Sequence, residues 1–294
     1  MYCHLCHSLR MDLFTQEERD SRCYTVLRCL ECGVIQTQER HALISPDYIQ
    51  LDESEVDPAR IWCQSQHKAP AFAQWERLMT ETCKEGPDTL LDVGCGTGGF
   101  LRHATRLGWK PFGFDSSKAQ VDYARRQTAT VRQAISASDY LAQLENAPLL
   151  FQVITLWDVL EHIRQPDIFI KDLRRILSPE GLLFISVPNG GALPWKKRVY
   201  RLLGRPFSVD PWEHVFYYTP SALTRYLREW GFEILRQGSV ACYPRSHGLF
   251  EMLRRIGFWL LAPWPGVSPQ IFILARKSKE NVMQSNQPEG DAAP

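Results

Sequence analysis

A chain of 294 residues, 44% of them hydrophobic and with a net charge of +1, carries enough apolar side chains for a real core and no dominant single-sign field. That balance argues against a nucleic-acid binder, and the length suits one large domain or one domain plus a small module. The longest apolar run, Ile256–Ala262, is too short to span a bilayer, and no signal peptide is read at the N-terminus.

The first forty residues stand apart in composition. Cys3-x2-Cys6 is followed by Cys29-x2-Cys32, and VLRCLECGVIQT reads as a strand entering and leaving a knuckle. Two thiolate pairs at this spacing complete a tetrahedral zinc site with no open position, so residues 1–40 are expected to form a structural zinc ribbon. Cys23 falls outside the pattern, and His4 and His7 are the substitutes should one cysteine not ligate. Nine cysteines with four in metal spacing suit a reducing, cytoplasmic setting better than disulfides.

Residues 41–88 read as a helical linker or cap. Phe72, Trp75, Leu78 and Met79 fall at helical spacing, the pattern of a helix packed on its neighbour. From 89 to 277 apolar strands alternate with amphipathic helices, which predicts a mostly parallel α/β sheet covered on both faces. The expected strands are Thr89–Val93, Pro111–Asp115, Thr130–Ile135, Gln152–Trp157 and Gly181–Val187, closed by Phe232–Gly238 and Pro269–Ala275. Helices are expected near Gly98–Leu107, Lys118–Arg126, Gln165–Leu177 and Pro220–Trp230. Residues 278–294 are polar, rich in breakers, and read as a disordered tail.

The stretch Leu90–Phe100, LLDVGCGTGGF, ends an apolar strand in an acid and opens a helix through alternating glycines. Such a turn presents backbone to an adenosine-type cofactor, and Asp115, at the end of the next strand, suits a ribose diol. A dinucleotide-binding oxidoreductase would carry the same turn and acid. Asp92, two residues before Gly94, stands where a cofactor's amino group could be held. Ser138 and Asp139 follow the third strand, within reach of an adenine. The fourth strand ends in Leu156-Trp157-Asp158-Val159-Leu160-Glu161-His162, and LRRILSPEGLLFISVPN couples a helix, a Pro-Glu-Gly turn and a strand.

Together these residues resemble the class I S-adenosylmethionine-dependent methyltransferases, in the branch of the ubiquinone-biosynthesis O-methyltransferases and sugar methyltransferases. The resemblance covers about Leu90 to Lys277. It implies a seven-stranded Rossmann-like sheet whose last strand is antiparallel and lies between the fifth and sixth. It implies S-adenosylmethionine as cofactor, with Asp92, Gly94, Cys95 and Gly96 around its methionine part. Asp115 and Ser116 would then hold the ribose, Ser138 and Asp139 flank the adenine, and Trp157 and Asp158 stand at the lip. Trp157 reads equally as a core residue at a strand end. The resemblance also associates Asp158, Glu161 and His162 with a divalent cation, although a polar helix start explains them as simply.

Transfer to a hydroxyl or an acidic carbon needs a general base, and His214 in DPWEHVFYYT is the candidate, with Glu213 to fix its tautomer. In the sugar C-methyltransferases a Tyr and a further His precede such a pair; here Pro211 and Trp212 stand in those places. O-methylation of a small, sugar-like, carrier-bound or lipid-linked acceptor is therefore expected. C-methylation of a nucleotide-linked deoxysugar and a non-catalytic cofactor-binding adaptor are the alternatives. Two insertions, near 190–215 and 245–266, mix bases with large apolar residues. They read as a cap over the site, or as peripheral membrane contacts.

Overall fold

The computed structural model describes residues 1–38, 58–126, 128, 130–143, 150–240 and 268–279, with the helical backbone alone for 58–67. The expected insertion at 245–266 and the tail beyond Lys279 lie outside the described residues.

Three N-terminal strands, β1 (Met11–Arg19), β2 (Arg22–Cys29) and β3 (Ile35–Thr37), pair antiparallel in sequence. Helix α1 (Pro58–Thr82) leads into β4 (Thr89–Val93), α2 (Gly99–Arg106), β5 (Lys110–Asp115), α3 (Lys118–Arg125) and β6 (Val131–Gln133). There follow α4 (Ala137–Ala142), β7 (Phe151–Trp157), α5 (Pro166–Ile176), β8 (Leu177–Pro188) and α6 (Leu193–Leu202). A short β9 (Phe216–Tyr217), α7 (Pro220–Glu229), β10 (Phe232–Ser239) and β11 (Gln270–Lys277) complete the described chain.

The main sheet has seven strands in the order β10-β11-β8-β7-β4-β5-β6. Neighbours from β8 to β6 are parallel, and β11 runs antiparallel between β8 and β10. This is the α/β architecture that the alternating pattern predicts, with the strand insertion that the family resemblance implies. Side chains alternate between two apolar layers, as strands buried on both faces require. Ile154, Leu183, Ile185 and Ile273 enter one layer with α5 and α7; Val153, Leu182, Phe184 and Leu274 enter the other with α1, α2 and α3. Each such aliphatic side chain, removed from water, stabilises the fold by roughly 1.5–3 kcal/mol. In α1, the helical stripe buries Phe72, Trp75 and Met79 against this second layer.

Two local features depart from expectation. The Pro-Glu-Gly turn expected ahead of the fifth strand lies inside β8: Phe151 pairs with Leu177 and Val153 with Leu182, so the residues between them loop out as a bulge. The ribbon also does not end at its own edge. Its sheet takes β9 as a fourth strand, with Ile35 opposite Tyr217 and Gln36 opposite Phe216. Cys3, Cys29 and Cys32 share the apolar layer of α7.

Candidate active site

The carboxyl ends of β4, β5 and β7 meet at one edge of the sheet, where parallel α/β folds bind their ligands. At the end of β4 the backbone turns through Gly94 (φ 67°), and a Cβ there would lie 2.5 Å from Val159 Cγ2. Only glycine meets both conditions. We expect Gly94→Ala to cost about 1–3 kcal/mol of stability and to weaken cofactor binding. Thermal denaturation and an S-adenosylhomocysteine titration check this, and a parent-like result in both would refute the close approach.

The turn is tied to β5 by Gly94 and Cys95, whose N–H groups donate to the Phe114 carbonyl at 2.8 and 3.1 Å. Asp115 then accepts from both sides, from Gly96 N at 2.9 Å and from Ser117 N at 2.8 Å. Burial raises its carboxyl above the usual range, while those amides pull it down. Each oxygen keeps a further lone pair for a diol hydroxyl. Ser116 follows directly, and Ser117 caps α3. Asp92 is buried beneath the turn and accepts from Thr155 Oγ1 at 2.7 Å. Burial lifts its carboxyl to about 7, against the Thr155 hydrogen bond and the Lys68 charge. Cys95 is also buried, and its thiol is pushed up by burial and the two nearby carboxylates.

Beyond β7 the chain turns sharply at Asp158, whose φ of 58° is left-handed, a conformation that Asp tolerates better than most residues. Its carboxylate bridges Lys68 of α1, at 3.0 Å, and the Gln270 side chain of β11. Glu161 and His162 occupy the following single 3-10 turn. Glu161 is buried with neither carboxylate oxygen hydrogen-bonded, and burial together with Asp158 raises its carboxyl well above the usual range. His214 arrives from the loop before β9, its ring 5.0 Å from that of His162. Burial, with His162 beside it, pushes the His214 imidazole down to about 4, and its Nδ1 has no hydrogen-bond partner. One ligand-type atom from each of Glu161, His162 and His214 lies within 4.8 Å of the others.

Several expected site residues sit differently. Asp158 is absent from that cluster and is held by Lys68 and Gln270 instead. Glu213 is exposed, and its carboxylate makes no hydrogen bond to His214 among the described residues. Its backbone carbonyl bonds His162 Nδ1 at 2.7 Å, so the acid fixes no tautomer of His214. Trp157 is a core residue, packed on Phe72, Phe100 and Phe184. Ser138 and Asp139 follow the third parallel strand, β6, as expected, and lie in the first turn of α4. Ser136 Oγ accepts from Asp139 N, and the Asp139 carboxylate accepts from Ile135 N, which closes a helix cap. Sequence reasoning missed Lys68, Thr155 and Gln270 because each reaches the site through tertiary pairing, with no local motif.

In the ribbon the four cysteines converge. Cys3 and Cys32 Sγ are 3.7 Å apart, and Cys6 and Cys29 Sγ 3.5 Å. A tetrahedron of thiolates about 2.3 Å from a metal has sulfurs about 3.8 Å apart, so the donor set fits a tetrahedral ion. Both knuckles have the same backbone. His7 N donates to Cys3 O and Gly33 N to Cys29 O, and the residue after each second cysteine is left-handed.

Comparison with known proteins bears on this arrangement. A family model described as a methyltransferase domain matches residues 65–237. The ubiquinone biosynthesis O-methyltransferase of Bartonella tribocorum is 29% identical over 119 residues, 40% of this chain and 47% of that protein. The enzyme of the same name from Bradyrhizobium diazoefficiens is 26% identical over 181 residues, 59% of this chain and 70% of its own length. This chain thus spans about half the length of the Bartonella relative, 47%. Among solved structures, magnesium protoporphyrin IX methyltransferase from Synechocystis with bound SAH superposes with a TM-score of 0.50 at 17% identity, covering 79% of this chain and 92% of that one. That likeness is one of fold.

Proposed function

The chain belongs to the methyltransferase-domain family, and from that footing we propose that it transfers a methyl group from S-adenosylmethionine to a hydroxyl of a small, sugar-like or lipid-linked acceptor. The observation that carries the hydroxyl reading is His214, a neutral imidazole whose buried Nδ1 has no hydrogen-bond partner among the described residues, beside the turn that follows β7. Membership of a methyltransferase family sets aside the oxidoreductase that the glycine turn alone left open.

S-adenosylmethionine supplies the methyl as an electrophile on its sulfonium and leaves as a neutral thioether. Asp92, Gly94, Cys95 and Gly96 would surround its methionine part and Asp115 and Ser116 its ribose, with Asp158 close by. Adenine would lie towards the start of α4, where Ser138 remains exposed. As the methyl moves from sulfur to the acceptor oxygen, the hydroxyl proton passes to the neutral His214 imidazole. Alignment of the acceptor within near-attack distance supplies most of the remaining acceleration. Phe216 and Pro211, buried on either side of His214, keep water from the back of that loop. Pro211 and Trp212 stand where a C-methyltransferase of the sugar branch has its Tyr and first His, which favours oxygen as the acceptor atom. A tritiated methyl-transfer screen over membrane extract, nucleotide sugars and phenols tests the reading. Label incorporated only into carbon, or only into an amine, would refute it.

A divalent cation is the second reading of the Glu161–His162–His214 cluster, favoured by the buried Glu161 carboxylate, which accepts no hydrogen bond among the described residues and has only His162 Nε2 at 3.9 Å. Those three residues would hold the ion, which would supply positive charge to an ionised acceptor oxygen. Zinc is proposed for the Cys3, Cys6, Cys29 and Cys32 tetrahedron, in a structural role.

Helix α6 supports a lipid-linked acceptor. None of its own residues is fully buried, while the insertion around it packs as a cap: Ala192 and Val209 are buried, and Leu193 and Phe207 lie against the cluster of Val26, Ile35 and Tyr217. Trp195, Leu202 and Leu203 are 52%, 78% and 62% exposed, among Lys196, Lys197, Arg198 and Arg201 and with no acid. Apolar side chains interleaved with bases match the headgroup region of an anionic membrane. No helix among the described residues is long and apolar enough to cross a membrane. We expect the protein to float with phosphatidylglycerol vesicles, and Trp195→Ser with Leu202→Ser to lower the floated fraction severalfold without loss of stability. Equal flotation of parent and variant would remove α6 from the contact.

A further inference from the structure

We infer that the cysteine-held ribbon is a jig for the acceptor side of the site: it aligns the loop that carries His214 and couples it to the turn that carries Glu161 and His162. The inference rests on the proposed place of His214 beside the acceptor.

The ribbon holds that loop along its whole length. At its start, Glu17 of β1 accepts from Val209 N at 3.0 Å and from the Ser208 hydroxyl. Along the middle, Trp212 packs edge-on against Tyr24 of β2, and Arg19 lies 4.7 Å over its ring. At the site itself, the fully buried Thr37 acts twice. Its Oγ1 donates to the His214 carbonyl at 2.9 Å and its N–H to the Val215 carbonyl at 3.0 Å. Beyond it, β3 pairs with β9. Val215 then faces both ways, because its own N–H donates to the Glu161 carbonyl at 2.9 Å. One residue of extended backbone therefore joins ribbon to catalytic turn.

The metal enters because the ribbon is too short to support β3 by packing alone. Strand β3 has three residues and leaves the second knuckle only two residues after Cys32. A small thiolate-held module folds only with its ion bound. Loss of the ion should release β3, and Thr37 with it, while the cofactor turn across the sheet keeps its own hydrogen bonds to β5. Thr37 is thus a positioning residue, acting through His214 without touching a ligand.

The test uses the full chain, zinc-loaded and chelator-stripped, followed by hydrogen exchange and by S-adenosylhomocysteine titration. We expect exchange across residues 208–217 to accelerate on stripping while residues 89–100 and the S-adenosylhomocysteine affinity stay unchanged. Unchanged protection of 208–217 would overturn the inference. Joint loss of zinc and S-adenosylhomocysteine binding would overturn it too, since the ion would then support the whole fold. Thr37→Val keeps all four cysteines and removes the hydroxyl that reaches the His214 carbonyl at 2.9 Å and the Pro211 carbonyl at 3.5 Å. It should retain zinc, accelerate exchange at Val215 by about fivefold, as one net hydrogen bond is worth, and move the His214 ring resonances. Thr37→Ser should restore both. A valine variant with parent-like exchange and resonances would sink the jig. An active His214→Ala enzyme would instead end the base assignment and leave these exchange results standing.

Discussion

Replacing His214 by alanine should lower turnover by about 10²–10⁴-fold, the usual worth of a positioned general base, and leave S-adenosylhomocysteine affinity unchanged. The His214 Nδ1 has no hydrogen-bond partner among the described residues, and the ring's contact with the Val209 backbone is lost with it. The pH dependence separates this role from a structural one. Burial holds the imidazole at about 4, so it is already neutral at pH 6 and gains a proton only in strong acid. Turnover at saturating cofactor should therefore stay level from pH 8 down to about 5 and fall only as pH approaches 4. A limb in kcat near the ordinary histidine value of about 6.5 would point to an exposed imidazole and refute the assignment. Full turnover in the alanine variant would do the same.

Asp92→Asn carries the second large effect, and it falls on binding. The buried carboxyl is raised to about 7, so much of it is protonated in the empty site at neutral pH. The cofactor ammonium proposed beside Asp92 would bind the ionised form and would have to draw the proton off. Affinity for S-adenosylhomocysteine should accordingly weaken about tenfold for each pH unit below 7 and level off above it. The asparagine variant should bind at least about tenfold more weakly at pH 8, with no pH dependence across that window. Stability moves the other way. A carboxyl raised by burial carries no penalty below its unfolded value near 3.9, and the penalty grows until pH passes about 7. The empty asparagine variant should thus melt higher than the parent at pH 8. Calorimetric titration and melting curves at pH 6 and 8 decide the point; a parent-like pH slope in the variant would exclude Asp92 as the coupled group.

What could be read from the chain alone follows the range of each interaction. The strand, turn and helix of LLDVGCGTGGF are encoded within eleven contiguous residues, so glycine placement and apolar run suffice to locate them. The two cysteine pairs are equally local, and their convergence follows from metal geometry. The insertion of β11 between β8 and β10 came from family resemblance, because no local signal orders the strands of a sheet. Residues brought together across the fold were the ones misplaced. Glu213 stands next to His214 in sequence, yet it sits in a turn closed on the Asp210 carbonyl that leaves its carboxylate exposed, and its own carbonyl serves His162 instead. Asp139 has a second role that the strand-end reading did not show: its carboxylate accepts from Ile135 N beside the Ser136 cap of α4. Trp157 alternates inward with Val153 on β7, a parity readable in principle, but the sequence does not say which face the strand end turns to the aromatic layer.

Pairing of β3 with β9 also sets an order of events during synthesis. Thr37 and His214 are 177 residues apart, so the ribbon leaves the ribosome long before the strand that completes its sheet. Throughout that interval β3 offers an open row of amides and carbonyls, the feature by which nascent chains mispair with each other. The knuckle can capture its ion early, from residues 3–32 alone, and would then keep the edge registered while it waits. Translation under zinc starvation would therefore expose this edge when the chain is most vulnerable, and aggregation of unfinished chains, rather than a slow mature enzyme, would be its first sign.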